Sequence, residues 1–242
     1  MRKLFTDARS NAKTRKRLTA ERIRAVILHF MPAALAGFGS VCAWSTAGCR
    51  AACLNVSGRG QVSGPLALSN LLRSPIHRAR FDRVRLFFEN RVEFFEGLDR
   101  ELAALVRSAE RSEFLPVARL NGTSDISWER FGVMERNPRV TFYDYTKSRR
   151  RAVEWAGGRM PTNYHLTYSA TERDNAVDIN AMLRGGINVA IPYRGAFPKT
   201  AFGFPVIDGT ESDWRFRDSV GRVVALKASG RARRDSSGFV RG

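Results

Sequence analysis

The residues Val140-Thr-Phe-Tyr-Asp-Tyr-Thr-Lys147 show in one place the pattern from which the fold can be inferred. A short run of β-branched and aromatic residues is typical of a buried strand, and here it ends abruptly in polar side chains. A stretch of helical composition follows over residues 148–156, and a second apolar run, Tyr164-His-Leu-Thr-Tyr168, comes next. The order strand, helix, strand predicts a β/α unit with parallel strands.

The same unit recurs along much of the chain. Residues 77–111 form the longest helical pattern, which predicts one helix or two with a break near Gly97, and residues 23–30 could be a strand or a short helix. We therefore predict an α/β fold, a partial (incomplete) TIM-like β/α barrel of six or seven mostly parallel strands. It would be a single domain over residues 21–242 after a basic, flexible arm over residues 1–20. The apolar runs lie at 117–120, 140–143, 164–168, 187–191, 204–207 and 223–226, with further helices predicted over 127–137, 148–156 and 171–183.

Polar residues follow each apolar run directly, which predicts a functional rim. The carboxyl ends of parallel strands form the ligand-binding face in β/α folds. The alternatives are structural: an Asx-type turn after residue 120 with Ser127 capping the next helix, a salt bridge at Lys147, a core histidine, and Asp-Gly turn chemistry. The predicted cofactor-binding residues are Asn121, Thr123, Ser124 and Asp125, and the predicted catalytic residues are Asp144, Lys147, His165 and Asp208, with Glu211, Asp213 and Lys227 nearby.

All three cysteines lie within one short segment, as Cys42-x6-Cys49-x3-Cys53. An odd number of cysteines cannot pair fully within the chain, so we do not expect a disulfide framework. Cys49 and Cys53 would be about one helical turn apart, which brings their thiols to the same side. The segment predicts a metal site. Structural zinc would need a fourth ligand, for which the histidines are His29, His77 and His165; three buried structural cysteines are the alternative.

Charge is concentrated at the two ends of the chain. Within the total formal charge of +18, residues 1–24 hold nine Lys and Arg and residues 215–242 hold eight. Basic termini favour contact with nucleic acid, although an Arg-rich coding bias would give the same composition. The apolar stretch over residues 25–36 is too short for a membrane span and does not resemble a secretory signal. We expect a cytoplasmic protein without a membrane partner, and its substrate is unknown.

Several strings resemble the gene product 88 family of phages and plasmids, whose activity is not established. The resemblance implies a protein of the bacterial host cytoplasm and covers residues 11–240. Its first string has Ala-Trp after the first cysteine where relatives often have proline. The strings are Cys42-Ala-Trp-Ser-Thr-Ala-Gly-Cys-Arg-Ala-Ala-Cys-Leu-Asn55, Gly58-Arg-Gly60, Arg119-Leu-Asn-Gly-Thr-Ser-Asp-Ile126, Phe142-Tyr-Asp-Tyr-Thr-Lys147, Asn163-Tyr-His-Leu-Thr167, Val206-Ile-Asp-Gly-Thr-Glu211 and Ser236-Ser-Gly-Phe-Val240.

The cysteine loop after the first predicted strand also resembles that of radical S-adenosylmethionine enzymes. Their usual spacing is C-x3-C-x2-C, whereas this chain has C-x6-C-x3-C. This resemblance implies a 4Fe-4S cluster with Cys42, Cys49 and Cys53 as ligands and S-adenosylmethionine as a cofactor. One alternative is a noncatalytic, basic nucleic-acid-binding accessory protein with a structural metal site. Another is an iron-less β/α enzyme that uses its strand-end carboxylates and Lys147.

Overall fold

The computed structural model describes residues 3–10, 18–63 and 67–242, which fold as a mixed α/β protein. They divide into two compact units, Met1–Ala43 with Asn55–Phe142, and Trp44–Leu54 with Tyr143–Gly242. The strands are β1 (Phe5–Asp7), β2 (Ile23–Leu28), β3 (Leu115–Arg119), β4 (Thr141–Thr146), β5 (Tyr164–Ser169), β6 (Val189–Tyr193), β7 (Thr200–Ala201), β8 (Phe204–Asp208) and β9 (Val223–Lys227). The helices are α1 (Ala47–Ala51), α2 (Leu68–Leu71), α3 (Pro75–Glu89), α4 (Arg91–Glu110), α5 (Val133–Arg136), α6 (Arg149–Ala156) and α7 (Ala176–Arg184).

In the first unit the strand order is β1-β2-β3-β4. β1 is antiparallel to β2, whereas β2, β3 and β4 run parallel, with Ile23 opposite Leu115 and Val117 opposite Thr141. The ambiguous segment over residues 23–30 is thus a strand as far as Leu28. Its inward residues Ile23, Ala25 and Ile27 are buried, as expected for alternating strand positions.

The long helical pattern forms two helices, but the predicted break near Gly97 is wrong. Asn90 ends α3 and begins α4, because its side chain accepts a hydrogen bond from the Glu93 amide at 3.2 Å. Asparagine is among the best residues for this capping role. Gly97 lies buried inside α4. Both helices pack an aromatic cluster in which Phe94 stacks on Trp128 with ring centres 6.1 Å apart.

The flexible arm predicted over residues 1–20 is not confirmed where the structure describes it. Residues 5–7 form strand β1, and Leu4 and Phe5 are buried. The Glu101 carboxylate accepts hydrogen bonds from both their amides, at 2.7 and 3.1 Å. Burial of the two apolar side chains and the hydrogen bonds of their amides stabilise this segment. The basic composition did not predict that stabilisation. Residues 1–2 and 11–17 of the predicted arm lie outside the described residues.

The second unit continues from β4 in the order β4-β5-β6-β9-β8-β7. β5 pairs parallel with β6, β6 with β9 and β9 with β8, while the short β7 is antiparallel to β8. Ser148 caps α6, and Asn175 with Asp178 forms a capping box at the start of α7. The buried residues of this unit's main core include Tyr168, Ile179, Leu183, Val189, Ile191 and Val223.

The mostly parallel β/α succession is confirmed, but the count of six or seven strands was too low. The structure has nine strands in the described residues, because the short β1 and β7 were not predicted. These two are edge strands, so the sheet is not closed and the barrel form is not confirmed. The helix predicted over residues 127–137 is instead a 3-10 turn and α5, which meet at Gly132 with φ of 64°. No helix in the described part is long and apolar enough to cross a bilayer.

Candidate functional site

Cys42 lies in the first unit at the carboxyl ends of β2 and β3. It forms an isolated parallel bridge with Asp125, whose amide donates to the carbonyl of Val41 at 2.8 Å. The Cys42 Sγ accepts a hydrogen bond from the Ala33 amide at 3.3 Å and lies 3.8 Å from the carbonyl oxygen of Thr123. The thiol is therefore held between the segments that follow the two strands.

The residues predicted to bind a cofactor after β3 make hydrogen bonds that hold their own turn. Asn121 is buried, and its Oδ1 accepts from the Ile126 amide at 2.9 Å, Ser124 Oγ at 2.8 Å and Trp128 Nε1 at 3.0 Å. Thr123 Oγ1 donates to the Phe30 carbonyl at 2.6 Å. These contacts give Asn121 the structural role of the alternative in a wider form, because its acceptor bonds residue 126 rather than the residue two positions on, and Ser127 makes no side-chain cap. A cofactor role for this group stays a prediction.

Gly122 in the same turn is required by packing between two chain segments. A Cβ at this position would lie 2.6 Å from both the Leu28 carbonyl oxygen and the His29 Nδ1. The Gly122 amide donates to that same carbonyl at 3.0 Å. The glycine thus lets the turn after β3 approach the end of β2, and it explains the small residue in Asn-Gly-Thr-Ser.

The other two cysteines lie in the second unit, on and after the short helix α1. Thr46 caps this helix, because its Oγ1 accepts a hydrogen bond from the Cys49 amide at 3.3 Å. Glu172, just after β5, accepts from Thr46 Oγ1 at 2.6 Å and from the Gly48 amide at 2.9 Å. Both thiols are half-buried. The helix of Cys49 is therefore attached to the carboxyl end of β5, and it ends at Ala51, so Cys53 lies beyond it rather than one helical turn along it.

The C-terminal segment packs on the same helix. Ala52 forms a small apolar cluster with Ala228, Ala232 and Val240, which Phe239 covers. A Cβ at Gly48 would lie 2.4 Å from Ser237 Oγ and 2.8 Å from the Glu172 carboxylate. A side chain at residue 48 would therefore require the Ser237 hydroxyl and the Glu172 carboxylate to move.

Lys147 lies at the end of β4, where the sequence predicted it. Its Nζ donates to Ser169 Oγ at 3.0 Å and to the carbonyls of Ser169 and Ala170 at 3.3 and 3.4 Å. The ammonium is also 4.7 Å from the centre of the Phe239 ring, within cation–π range. These contacts place a cation among strand-end oxygens, and its catalytic role stays a prediction.

Asp144 is fully buried in a network that includes helix α6. Its Oδ2 accepts from Tyr164 OH at 3.1 Å, and Arg151 donates to that same hydroxyl at 3.1 Å. Arg151 also donates to Thr146 Oγ1 at 3.1 Å. The arrangement stabilises the packing of α6 on the strands. The catalytic role of Asp144 stays a prediction.

The remaining predicted residues have different surroundings. His165 is half-buried, its ring centre is 6.0 Å from that of Phe216, and burial lowers its pKa, so it is neutral at pH 7. Asp208 is exposed, and its Oδ1 accepts from the Thr210 amide at 2.7 Å and hydroxyl at 2.5 Å. Asp208 therefore fits the turn alternative. Asp213, in contrast, is buried and accepts from Tyr143 OH at 3.1 Å.

The metal centre predicted from the cysteines is not confirmed. Among residues 3–10, 18–63 and 67–242, no group of three or more His, Cys, Asp or Glu side chains is placed to hold a metal ion. The donor chemistry of three thiols nevertheless suits iron or zinc. Sequence reasoning missed Glu172; the pattern Thr46-Ala-Gly-Cys49 is an N-cap signal that points to a helix start, but it does not name the distant carboxylate.

Fold and site together define a mixed α/β protein. Its first unit holds Cys42 beside the segment that follows β3, and its second unit holds the helix of Cys49 at the carboxyl end of β5. A family model described as gene product 88 matches residues 3–242, and the chain belongs to this family. The match confirms the resemblance that the sequence strings indicated. Comparisons with curated proteins and with solved structures gave no match, and none of them supports the radical S-adenosylmethionine resemblance.

Proposed function

We propose that this protein is an iron–sulfur enzyme that works at the carboxyl ends of its parallel strands, with Cys42, Cys49 and Cys53 as the cluster ligands. The observation that carries the proposal is the attachment of the cysteine segment in each unit. Cys42 bridges Asp125 after β3, and the helix of Cys49 is hydrogen-bonded to Glu172 after β5. Strand carboxyl ends are the face on which β/α enzymes place their chemistry.

The number of thiols favours an iron–sulfur cluster over structural zinc. Zinc in a structural site takes four protein ligands, whereas a four-iron cluster held by three thiolates leaves one iron open to an external ligand. S-adenosylmethionine is the cofactor that we propose for that position. Lys147 supports the proposal because it supplies a positive charge at the end of β4, next to Ser169 and Ala170 after β5.

Anaerobic reconstitution tests the proposal. The purified chain would be incubated with ferrous iron, sulfide and a thiol reductant, desalted, and assayed for visible absorption, iron and sulfide. We expect a brown protein with about four irons and four sulfides per chain. The single variants Cys42→Ala, Cys49→Ala and Cys53→Ala should each lose most of the iron, while Ser57→Ala, a change outside the cysteine segment, should retain it. A colourless protein holding one zinc would contradict the proposal.

Nucleic-acid binding is a second candidate function, favoured by a basic surface near the C-terminus. The 3-10 helix Gly230–Arg234 exposes Arg231, Arg233 and Arg234. Clustered arginines contact phosphates and release counterions, so the affinity falls steeply with salt.

Charge-matched variants separate this candidate from general basicity. Arg231, Arg233 and Arg234 would be changed together to Gln, and the exposed residues Arg100 and Arg107 of α4, with Arg111 at its C-cap, would be changed as the control. Specific use of the C-terminal cluster predicts weaker binding to a short DNA duplex and a smaller salt dependence only in the first variant. An equal loss of DNA affinity in both variants would contradict a specific role of the C-terminal cluster and would indicate only nonspecific electrostatic attraction.

A further inference from the structure

One carboxylate, that of Glu172, ties the segment from Thr46 to Cys53 to the turn after β5. Glu172 Oε2 accepts from Thr46 Oγ1 at 2.6 Å, and its Oε1 accepts from the Gly48 amide at 2.9 Å. Gly48, the second residue of α1, and the cap Thr46 are thereby tied to the turn after β5. Hydrogen bonds to a charged acceptor are roughly twice as strong as neutral ones.

The same contacts reach the first helical cysteine through one intermediary. Thr46 Oγ1 donates to Glu172 and accepts from the Cys49 amide at 3.3 Å, so the carboxylate fixes the orientation of the capping hydroxyl. α1 spans only five residues, Ala47–Ala51, and a helix of this length is not stable by itself. Its geometry must come from its attachments.

Close packing at Gly48 also fixes the position of α1. Gly48 lies so near to Glu172 and Ser237 that a Cβ would clash with both, at 2.8 and 2.4 Å. Burial acts to raise the Glu172 pKa, but the hydrogen bonds from Thr46 and Gly48 outweigh it and hold that pKa below its ordinary value. The side chain is therefore an anion at neutral pH.

We infer that Glu172 is the positioning residue for the thiols of Cys49 and Cys53. It acts through Thr46 and Gly48 and fixes α1 at the end of β5, so that both thiols are presented together. This inference deepens the proposed function, since those thiols are two of its three cluster ligands.

Cysteine alkylation in the native chain tests the positioning directly. Each thiol would be followed by mass spectrometry after brief treatment with iodoacetamide, with Cys42 as the internal reference in the other unit. Glu172→Ala should speed the alkylation of Cys49 and Cys53 by about fivefold through local opening, and leave Cys42 unchanged. Glu172→Gln keeps one acceptor oxygen and should fall between. Thr46→Val, which removes the hydroxyl at similar volume, should resemble Glu172→Ala.

The matched control is Glu154→Gln on α6, a partly exposed carboxylate 3.8 Å from Arg150. It should alkylate like the wild type. Unchanged rates at Cys49 and Cys53 in Glu172→Ala would overturn the inference. So would an equal rise at all three cysteines in both the Ala and Gln variants, because that result marks loss of the whole fold.

Cobalt binding provides a readout that a purely structural role would leave unchanged. The sulfur-to-cobalt charge-transfer band reports thiolate coordination of Co²⁺ added to the reduced chain. Glu172→Ala should weaken Co²⁺ binding roughly tenfold, as loss of a group that orients metal ligands typically does. Equal affinity in wild type and variant would contradict the positioning. A wild-type chain that binds no Co²⁺ would contradict the proposed metal function, while the alkylation rates still decide the role of Glu172.

Discussion

The Glu172 carboxylate and the Gly48 amide are joined by a hydrogen bond of 2.9 Å, which ties the start of the cysteine helix to the end of β5. Glu172 is more than 120 residues from Gly48 in the chain, so this contact exists only in the folded protein. It makes the cysteine helix part of the second unit's strand-end structure.

Substitution of Gly48 should therefore destabilise the protein. The Cβ of Gly48→Ala would meet Ser237 Oγ at 2.4 Å, and tight packing of this kind typically costs about 1–3 kcal/mol. Urea unfolding should show this loss. Gly195→Ala is the control, because a Cβ there meets nothing within 4 Å and should change stability little. Equal stability of Gly48→Ala and wild type would mean that the packing around α1 is loose.

Phe239 should shield Lys147. Removing the ring in Phe239→Ala takes away the cation–π contact at 4.7 Å and opens the end of β4, at a cost of about 0.5–1 kcal/mol. The side chain of Lys147 should then be acetylated faster by a mild acylating reagent, as measured by mass spectrometry. Lys199, in an exposed loop, is the internal reference and should not change. No change at Lys147 would show that the C-terminal segment does not cover it in solution.

Capping by Asn90 should decide how the two long helices meet. Asn90→Ala removes the hydrogen bond to the Glu93 amide and should cost about 1 kcal/mol in unfolding free energy. Ser127→Ala is a suitable comparison, because Ser127 precedes a 3-10 helix without making a side-chain cap. A similar small loss in both variants would argue against the cap as the cause of the helix break.

These elements show what sequence patterns can and cannot predict. Apolar runs followed by polar turns gave the parallel strands correctly, because burial and strand period act locally. The break at Asn90 rather than at Gly97 was missed because capping outweighed the low helix propensity of glycine, which lies buried inside α4. Strand β1 was missed because its three residues lie within a basic segment, and the hydrogen bonds from Leu4 and Phe5 to the distant Glu101 carboxylate leave no local pattern.

The site divides in the same way. The sequence predicted site residues in the cysteine segment and at Lys147, and the structure places Lys147 at a strand end. Asn121 and Asp208 matched the same rim pattern, yet their hydrogen bonds hold local turns. Glu172 escaped notice because nothing near it in sequence shows that its carboxylate faces Gly48. Hydrophobic periodicity does not predict which residues distant in the chain will form a contact.

Asp174 should make the unfolding free energy depend on pH in the acidic range. It is buried, and although burial acts to raise its pKa, hydrogen bonds from Thr171, Arg149 and Tyr168 hold that pKa below the ordinary value. A carboxyl group whose pKa is lowered by folding stabilises the fold at pH values above its unfolded pKa of about 4. That stabilisation is lost as the pH falls through the pKa of the folded state. The unfolding free energy should therefore drop below about pH 4.

Asp174→Asn tests that account. The variant should lose about 2 kcal/mol at pH 7, because its amide leaves Arg149 without a carboxylate at this contact. Its stability should then fall less steeply in acid than that of the wild type. Asp99→Asn, at a more exposed ion pair with Arg136, is the control and should retain the wild-type acid slope. Identical slopes in wild type and Asp174→Asn would contradict the assignment.

We propose that Cys42, Cys49 and Cys53 together hold an iron–sulfur cluster with one open iron. The decisive measurement is Mössbauer spectroscopy of the chain reconstituted with isotopically enriched iron, before and after S-adenosylmethionine is added. The spectrum should be that of a four-iron cluster in which one iron alone changes on addition of the cofactor. A spectrum of unspecifically bound iron, identical in the wild type and in the variant with all three cysteines changed to alanine, would contradict it.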